Sequence, residues 1–189
     1  MIPNLKHKLK SLAIADAIVE PEWQYRYFSY NSKWAPNEEM ASMRDGCGGS
    51  WFVLFLGERV GYKCISPGDG LIENYSKIRE TIPIEYKSFI DEPSFFKDEA
   101  TAVWILDKNQ WIKFGKTEVR EIIDLEAIMK WEPENYKEWA DGYFEKEIDL
   151  DALIQVFEHK ITEEVVAALN KEISLDEIKA DIEEIGITP

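Results

Sequence analysis

Six consecutive apolar residues, Trp51–Leu56, constrain the fold of this 189-residue chain more than any other segment. Because both alternating faces of the stretch are apolar, it predicts a central strand that is covered on both sides. Gly57 and Glu58 suit a two-residue hairpin turn with glycine first, so Arg59–Ile65 should return as an antiparallel neighbour. We therefore expect an antiparallel sheet built around this hairpin.

Weaker patterns extend the sheet on both sides and place helices around it. An apolar stripe of leucines predicts a helix over 4–19, and alternation in Glu22–Tyr30 predicts a half-buried strand. Residues 31–50 are predicted to form a long loop with a helical turn at Glu38–Arg44, capped by Asn37. Two short helices and one further hairpin are then expected, at Ile72–Arg79, Pro83–Ile90, and Thr101–Leu106 with Gln110–Phe114.

From about Glu118 the apolar pattern has a period near 3.6, which indicates helices. Ser174 and Glu177 match a capping box, so we expect Ser174 to cap the last helix. The five predicted helices cover 119–130, 133–145, 149–158, 162–170 and 174–185. Strands followed by helices predict an α+β fold. The expected organisation is an aromatic-rich α+β body (1–118) with an acidic helical region (119–189) packed on it as one domain.

The negative charge of the chain is concentrated near the C-terminus. The chain has 37 acidic and 22 basic residues, a net charge of −15, and residues 131–189 contribute −12 of it, from 17 acids and 5 bases. Such a field repels nucleic acid and anionic lipid and attracts basic partners. We therefore expect a basic protein partner, no nucleic acid and no membrane. The acidic residues chosen as its contacts are Glu163, Glu164, Asp181, Glu183 and Glu184.

Aromatic residues are concentrated between Glu22 and Trp34. On alternating strand faces these side chains would not all reach one core, so one face would form a stacking platform for a sugar or another small ligand. The alternative is a thick aromatic core under covering helices. The candidate platform residues are Trp23, Tyr25, Tyr27 and Trp34.

No pattern in the chain predicts a catalytic site, a metal site or a cofactor. The only histidines, His7 and His159, suit surface or capping positions, so we expect no histidine-dependent hydrolase activity. Cys47 and Cys64 match no zinc-ligand spacing and are interpreted as reduced thiols. The sequence does not decide whether Cys47 is reactive. Its glycine-rich surroundings precede a strand, whereas phosphate-binding loops follow one.

The chain is expected to be cytoplasmic. No apolar run approaches the roughly 20 residues that a membrane span requires. The basic N-terminus is followed by a short apolar stretch, but Asp16 interrupts it, which is untypical of a signal peptide.

Three segments resemble a family of uncharacterised bacterial cytosolic proteins. They are EWQYRYFSYNSKWAPNEEMASMRDG (22–46), IPIEYKSFIDEP (82–93) and YKEWADGYFEKEIDLDALIQVFEHK (136–160). IPIEYKSFI is also similar to the Pro-x-x-Tyr-x-x-Phe helix of SMI1/KNR4-like proteins, many of which are toxin-immunity proteins. The Asn-Gly-Gly that often follows that helix is absent here.

Two functions remain open at this point, beside the possibility that the acidity serves only solubility. The first is a non-enzymatic bacterial binding protein of the immunity or inhibitor type, whose acidic helices meet a basic protein. The second is a small-ligand binding protein or enzyme that uses the aromatic sheet face together with carboxylates. The sequence does not define the oligomeric state.

Overall fold

A six-stranded antiparallel sheet is the main element of the computed structural model, which describes residues 1–187. The strands follow one another in chain order across the sheet, and helices precede and follow it, which confirms the predicted α+β class. The strands are β1 (Phe28–Ala35), β2 (Glu38–Arg44), β3 (Ser50–Leu56), β4 (Arg59–Ile65), β5 (Ala102–Asp107) and β6 (Gln110–Gly115).

The chain forms two compact units. The first contains Met1–Ile2 and Lys33–Ile128, and the second contains Pro3–Ser32 and the chain from Met129 onward. The boundary between Ser32 and Lys33 lies inside β1.

The two predicted hairpins are confirmed. Strand β3 is buried from Ser50 to Phe55 and pairs with β4 through Leu56 and Arg59, so the turn consists of Gly57 and Glu58. Gly57 has a φ of 64°, which explains glycine as the first turn residue. Lys108 and Asn109 form the turn between β5 and β6, both with positive φ.

The predictions for 22–50 were wrong in three places. Residues 31–35, predicted as the start of a long loop, belong to β1. The strand predicted at Glu22–Tyr30 begins only at Phe28, because Trp23–Tyr25 forms a short 3-10 helix. The predicted helical turn at Glu38–Arg44 is strand β2, which pairs with β3 along its whole length. Asn37 is not a helix cap but a turn residue with a φ of 63°. Pairing with the buried β3 outweighs the helix propensity of this segment.

One face of the sheet in the first unit is covered by the chain between β4 and β5. This segment contains α2 (Tyr75–Thr81), a 3-10 turn (Ile84–Tyr86) and α3 (Lys87–Ile90), so the two predicted helices are present but shorter. Its aromatic residues and those of the sheet form one apolar core. The largest members of this core are Phe52, Tyr75, Tyr86, Phe89 and Phe95.

The helix predicted at 119–130 is reduced to α4 (Leu125–Ile128). The carbonyl oxygens of Ile122 and Ile123 accept hydrogen bonds from the side chains of Trp51 and Tyr62, respectively. These carbonyls are oriented toward the sheet and not along a helix axis, which delays the start of the helix.

The second unit is helical. Helix α1 (Ile2–Val19) precedes the sheet, and α5 (Pro133–Tyr143), α6 (Leu150–Phe157), α7 (Glu163–Leu169) and α8 (Lys179–Ile185) follow it. Asp149 and Thr162 cap α6 and α7 by accepting backbone N–H groups. The predicted helices therefore lie within two residues of their observed bounds, except at α8.

Helix α8 begins five residues later than predicted, and Ser174 does not cap it. Glu177 accepts hydrogen bonds from both the backbone N–H and the hydroxyl of Ser174. No backbone N–H of the described residues donates to this hydroxyl, and residues 175–178 form turns. We therefore withdraw the expectation that Ser174→Ala removes a helix cap.

Candidate functional site

The five predicted contact acids all lie in the second unit, but they differ in their surroundings. Glu163 and Glu164 occupy the first turn of α7, where Glu163 accepts the backbone N–H of Leu175 at 3.0 Å. Glu164 is exposed, and backbone and Thr162 hydrogen bonds lower its pKa. Glu183 is exposed on α8. These three carboxylates form no ion pair within residues 1–187.

Asp181 and Glu184 take part in contacts that hold α8 in place. Asp181 forms a two-oxygen ion pair with Arg26, whose side chain is 8% exposed. Glu184 accepts a 3.2 Å hydrogen bond from the Asn31 amide, and its own carbonyl accepts one from the Ser32 hydroxyl at 2.7 Å. The Asp181 charge is thus neutralised locally, whereas Glu184 remains an exposed carboxylate.

The structure does not bring the four predicted platform residues onto one strand face. Trp23 and Tyr25 lie on the 3-10 helix and are 56% and 59% exposed. Tyr27 is buried in edge-to-face contact with Trp139, with 4.8 Å between ring centroids. Trp34 belongs to the first unit, where its ring stacks on Phe95 at 5.7 Å. Two of the four are therefore packing residues, and two are presented to solvent.

A narrow cleft of ≈20 Å³ in the second unit joins one exposed aromatic residue to two of the predicted acids. Its walls include Trp23, Arg26, Asp181 and Glu184. The Oγ of Ser29, which also lines the cleft, is buried without a hydrogen-bond partner among the described residues. The cleft was not foreseen, because Arg26 and Asp181 are 155 residues apart and no local pattern relates them.

Arg26 holds the cleft wall that carries Trp23. Its Nε donates to the Glu20 carbonyl at 2.8 Å, and its Nη2 donates to the Pro21 carbonyl at 2.6 Å. The same guanidinium binds Asp181, so the loop before β1 is attached to α8. Charge-assisted bonds of this bidentate kind are among the stronger ones in proteins, which makes the cleft a preorganised feature.

A second titratable cluster in this unit brings together Ser11, His7 and His159. The Ser11 hydroxyl lies 3.1 Å from Nε2 of His159, and the two histidine rings are 4.2 Å apart. Ser11 is fully buried, and its hydroxyl donates to the His7 carbonyl at 3.0 Å. Burial, followed by the nearby His7 and Lys10, lowers the pKa of His159 to about 4. Such a histidine is a poor general base near neutral pH, so the cluster fits packing better than catalysis.

The first unit contains a buried lysine that the sequence did not single out. Lys63 on β4 is 1% exposed, and its Nζ donates to the Phe96 carbonyl. Burial lowers the pKa of Lys63 to about 7. Of the two thiols, Cys64 is buried with its pKa raised to about 11, whereas Cys47 is exposed. Neither thiol is in a disulfide.

A cleft of ≈260 Å³ in the first unit is lined by both charges and apolar side chains. Asp91 holds Arg79 and Lys87 at 2.6 and 2.7 Å. Hydrogen bonds from Lys87 and Arg79 lower the pKa of Asp91 to about 2. The charges of Asp91, Arg79 and Lys87 are thus paired with one another, and they indicate no particular ligand.

Two further findings concern membranes and metals. Within residues 1–187, no helix combines the length and apolarity needed to cross a membrane. In the same residues, no three His, Cys, Asp or Glu side chains are grouped so that they could hold a metal ion.

Comparison with known proteins identifies no family for this chain. No protein-family model, curated protein or solved structure matches the chain.

Proposed function

We propose that the protein binds a basic protein partner through the acidic helices of its second unit and acts by binding, as immunity and inhibitor proteins do. The observation that carries the proposal is the exposure of the carboxylates. Of the 17 acidic residues between 131 and 189, all are exposed except Asp141 and Asp181, which are partly buried. Charge that is presented to solvent is available to a partner.

The charge is also unevenly divided between the two units. The second unit holds 20 acidic and 10 basic residues, whereas the first holds 17 and 12. A basic partner would therefore be attracted mainly to the second unit. Complementary charge of this kind raises the association rate and restricts the choice of partner more than it increases affinity.

The proposal is tested by reversing charge at four exposed acids. The variant carries Glu163→Lys, Glu164→Lys, Glu183→Lys and Glu184→Lys, and leaves Asp181 in place because its pair with Arg26 supports the fold. The matched control makes the same charge change in the first unit, at the exposed Glu58, Glu80, Glu85 and Glu118.

Wild-type protein and both variants are used to capture partners from a lysate of the native host, and the association rate of the captured protein is then measured. The partner should be basic, and its association rate should fall as salt rises, because charge is screened over roughly 8 Å at physiological ionic strength. The second-unit variant should lose most of this rate, and the control should keep it. An association rate equal in both variants and indifferent to salt would contradict the proposal.

A further inference from the structure

We infer that the mouth of the cleft beside Trp23 is the anchor point of this interaction and binds an arginine side chain of the basic partner. The inference rests on the proposed function, since it names the group that the acidic surface receives. It combines an exposed aromatic ring with a carboxylate that has spare acceptor capacity, both lining one cleft.

The aromatic ring is supplied by Trp23. More than half of this large side chain is exposed, although it lines a cleft. Tryptophan is the aromatic residue that attracts cations most strongly. Arginine is the cation that also stacks on aromatic rings through its planar guanidinium.

The carboxylate is supplied by Glu184. Both oxygens of the neighbouring Asp181 are bound by Arg26, so that carboxylate is already neutralised. Glu184 has one hydrogen bond, from Asn31 to its Oε1, and no ion pair within the described residues. An incoming guanidinium would therefore pair with Glu184, in the planar geometry that arginine and carboxylate share.

The narrowness and rigidity of the cleft favour a single side chain bound across its mouth. The ≈20 Å³ inside, about the space of one water molecule, lies far below the roughly 300–1,000 Å³ typical of small-molecule sites. One wall is held by Arg26, and the other by the Ser32 hydroxyl bond to the carbonyl of Glu184. A preorganised cleft loses little freedom when it binds, which is typical of an interface anchor.

The probe that tests the inference is Nα-acetylarginine amide, with Nα-acetylcitrulline amide as its neutral counterpart of similar shape. Binding is followed by NMR through the indole N–H signal of Trp23, which is identified from its loss in Trp23→Phe. The arginine compound should shift this signal saturably, and the citrulline compound should not, because citrulline lacks the charge that Glu184 and the ring attract.

Two pairs of variants separate this cleft from the general acidic surface. Glu184→Gln should weaken binding of the arginine compound at least about fivefold, whereas Glu183→Gln, the same charge change one residue away, should change it less than twofold. Trp23→Ala should weaken binding similarly, measured from the other shifted signals, and Tyr25→Ala on the same 3-10 helix should not. Both aromatic residues are more than half exposed, so neither substitution is expected to unfold the protein.

The same four variants are then measured with the captured partner. Equal losses for Glu183→Gln and Glu184→Gln would overturn the inference and leave the proposed acidic surface standing. A Trp23 signal that responds equally to arginine and citrulline would also overturn it. If the partner's association is in addition indifferent to the fourfold charge reversal, the proposed function fails as well.

Discussion

The hydroxyl of Tyr136 donates a 2.6 Å hydrogen bond to the Asp16 carboxylate, and both side chains are fully buried. The other carboxylate oxygen accepts the backbone N–H groups of Tyr27 and Phe28, each at 2.7 Å. One acidic side chain of α1 thus connects to α5 and to the start of β1 within the second unit. Burial raises the pKa of Asp16 to about 7 in spite of these three donors.

This carboxylate should make the stability of the protein depend on pH. The folded pKa lies above the unfolded value of 3.8, so the folded state holds the proton more tightly. The contribution of Asp16 to the free energy of unfolding should therefore be complete below about pH 4, decline as pH rises to about 7, and be constant above it. A shift of this size corresponds to about 4 kcal/mol.

The measurement is urea unfolding of the wild type and Asp16→Asn between pH 4 and pH 8. The asparagine does not titrate, so the stability of the wild type relative to the variant should fall across this range. Glu138→Gln, at an exposed carboxylate of α5, is the control and should show no such trend. A stability difference between wild type and Asp16→Asn that stays constant with pH would contradict the assignment.

A second prediction concerns two glycines that differ in the space around them. A Cβ added at Gly61 on β4 would lie 2.5 Å from a ring carbon of Phe89, whereas nothing lies within 4 Å of one added at Gly142 on α5. Gly61→Ala should therefore cost about 1–3 kcal/mol of unfolding free energy through overpacking. Gly142→Ala should be neutral or stabilise by up to about 1 kcal/mol.

Thermal or urea unfolding of both alanine variants checks this contrast. Phe89→Leu in the Gly61→Ala background should recover part of the loss, because it withdraws the ring that the new methyl group meets. Equal stability changes for the two alanine variants would show that the sheet and its covering segment move apart freely at this position.

The parts of the fold that were predictable are those with local signals. Gly57 and the apolar run before it define their hairpin within fifteen residues, and the capped helices α6 and α7 carry their own start signals. The segment Glu38–Arg44 was mispredicted because its local helix propensity conflicts with its pairing to β3, which is a tertiary effect.

The residues of the candidate site could be predicted singly, but their contacts could not, because these too are tertiary effects. Trp23 could be selected as one of the concentrated aromatic residues. Asp181 and Glu184 could be selected as acids of the C-terminal region. Their meeting in one cleft depends on Arg26, whose partner Asp181 lies 155 residues away. An acid inside an apolar helix, Asp16, was the one visible signal of a buried polar contact.

The last prediction concerns Lys63, whose Nζ lies 4.9 Å from the centroid of the Tyr75 ring. Phe52 and Val103 are its neighbours on the adjacent strands, so the amine is surrounded by the apolar core of the first unit. Burial and the charge of Arg79 lower the pKa of Lys63 to about 7, and Asp98 and Glu99 oppose this only in part. A charged lysine that is buried in an apolar core lowers the free energy of unfolding.

The sign of the effect follows from the two protonation states. The unfolded lysine holds its proton up to about pH 10.5, whereas the folded one releases it near pH 7. The free energy of unfolding should therefore rise with pH between about 7 and 10, and the penalty of burying Lys63 should be largest at and below pH 7. Lys63→Met, which keeps the length of the side chain without its charge, should then be more stable than the wild type at pH 7.

Urea unfolding of the wild type and Lys63→Met between pH 6 and pH 10 measures the stability advantage of the variant. This difference in the free energy of unfolding should shrink steadily above pH 7. Lys77→Met removes the charge of an exposed lysine on α2 and serves as the control, with no pH-dependent gain expected. If the advantage of Lys63→Met were the same at pH 6 and pH 10, the amine would keep its proton in the folded core. Its hydrogen bond to the Phe96 carbonyl would then be the bond of an ammonium group, and the pKa would not be depressed.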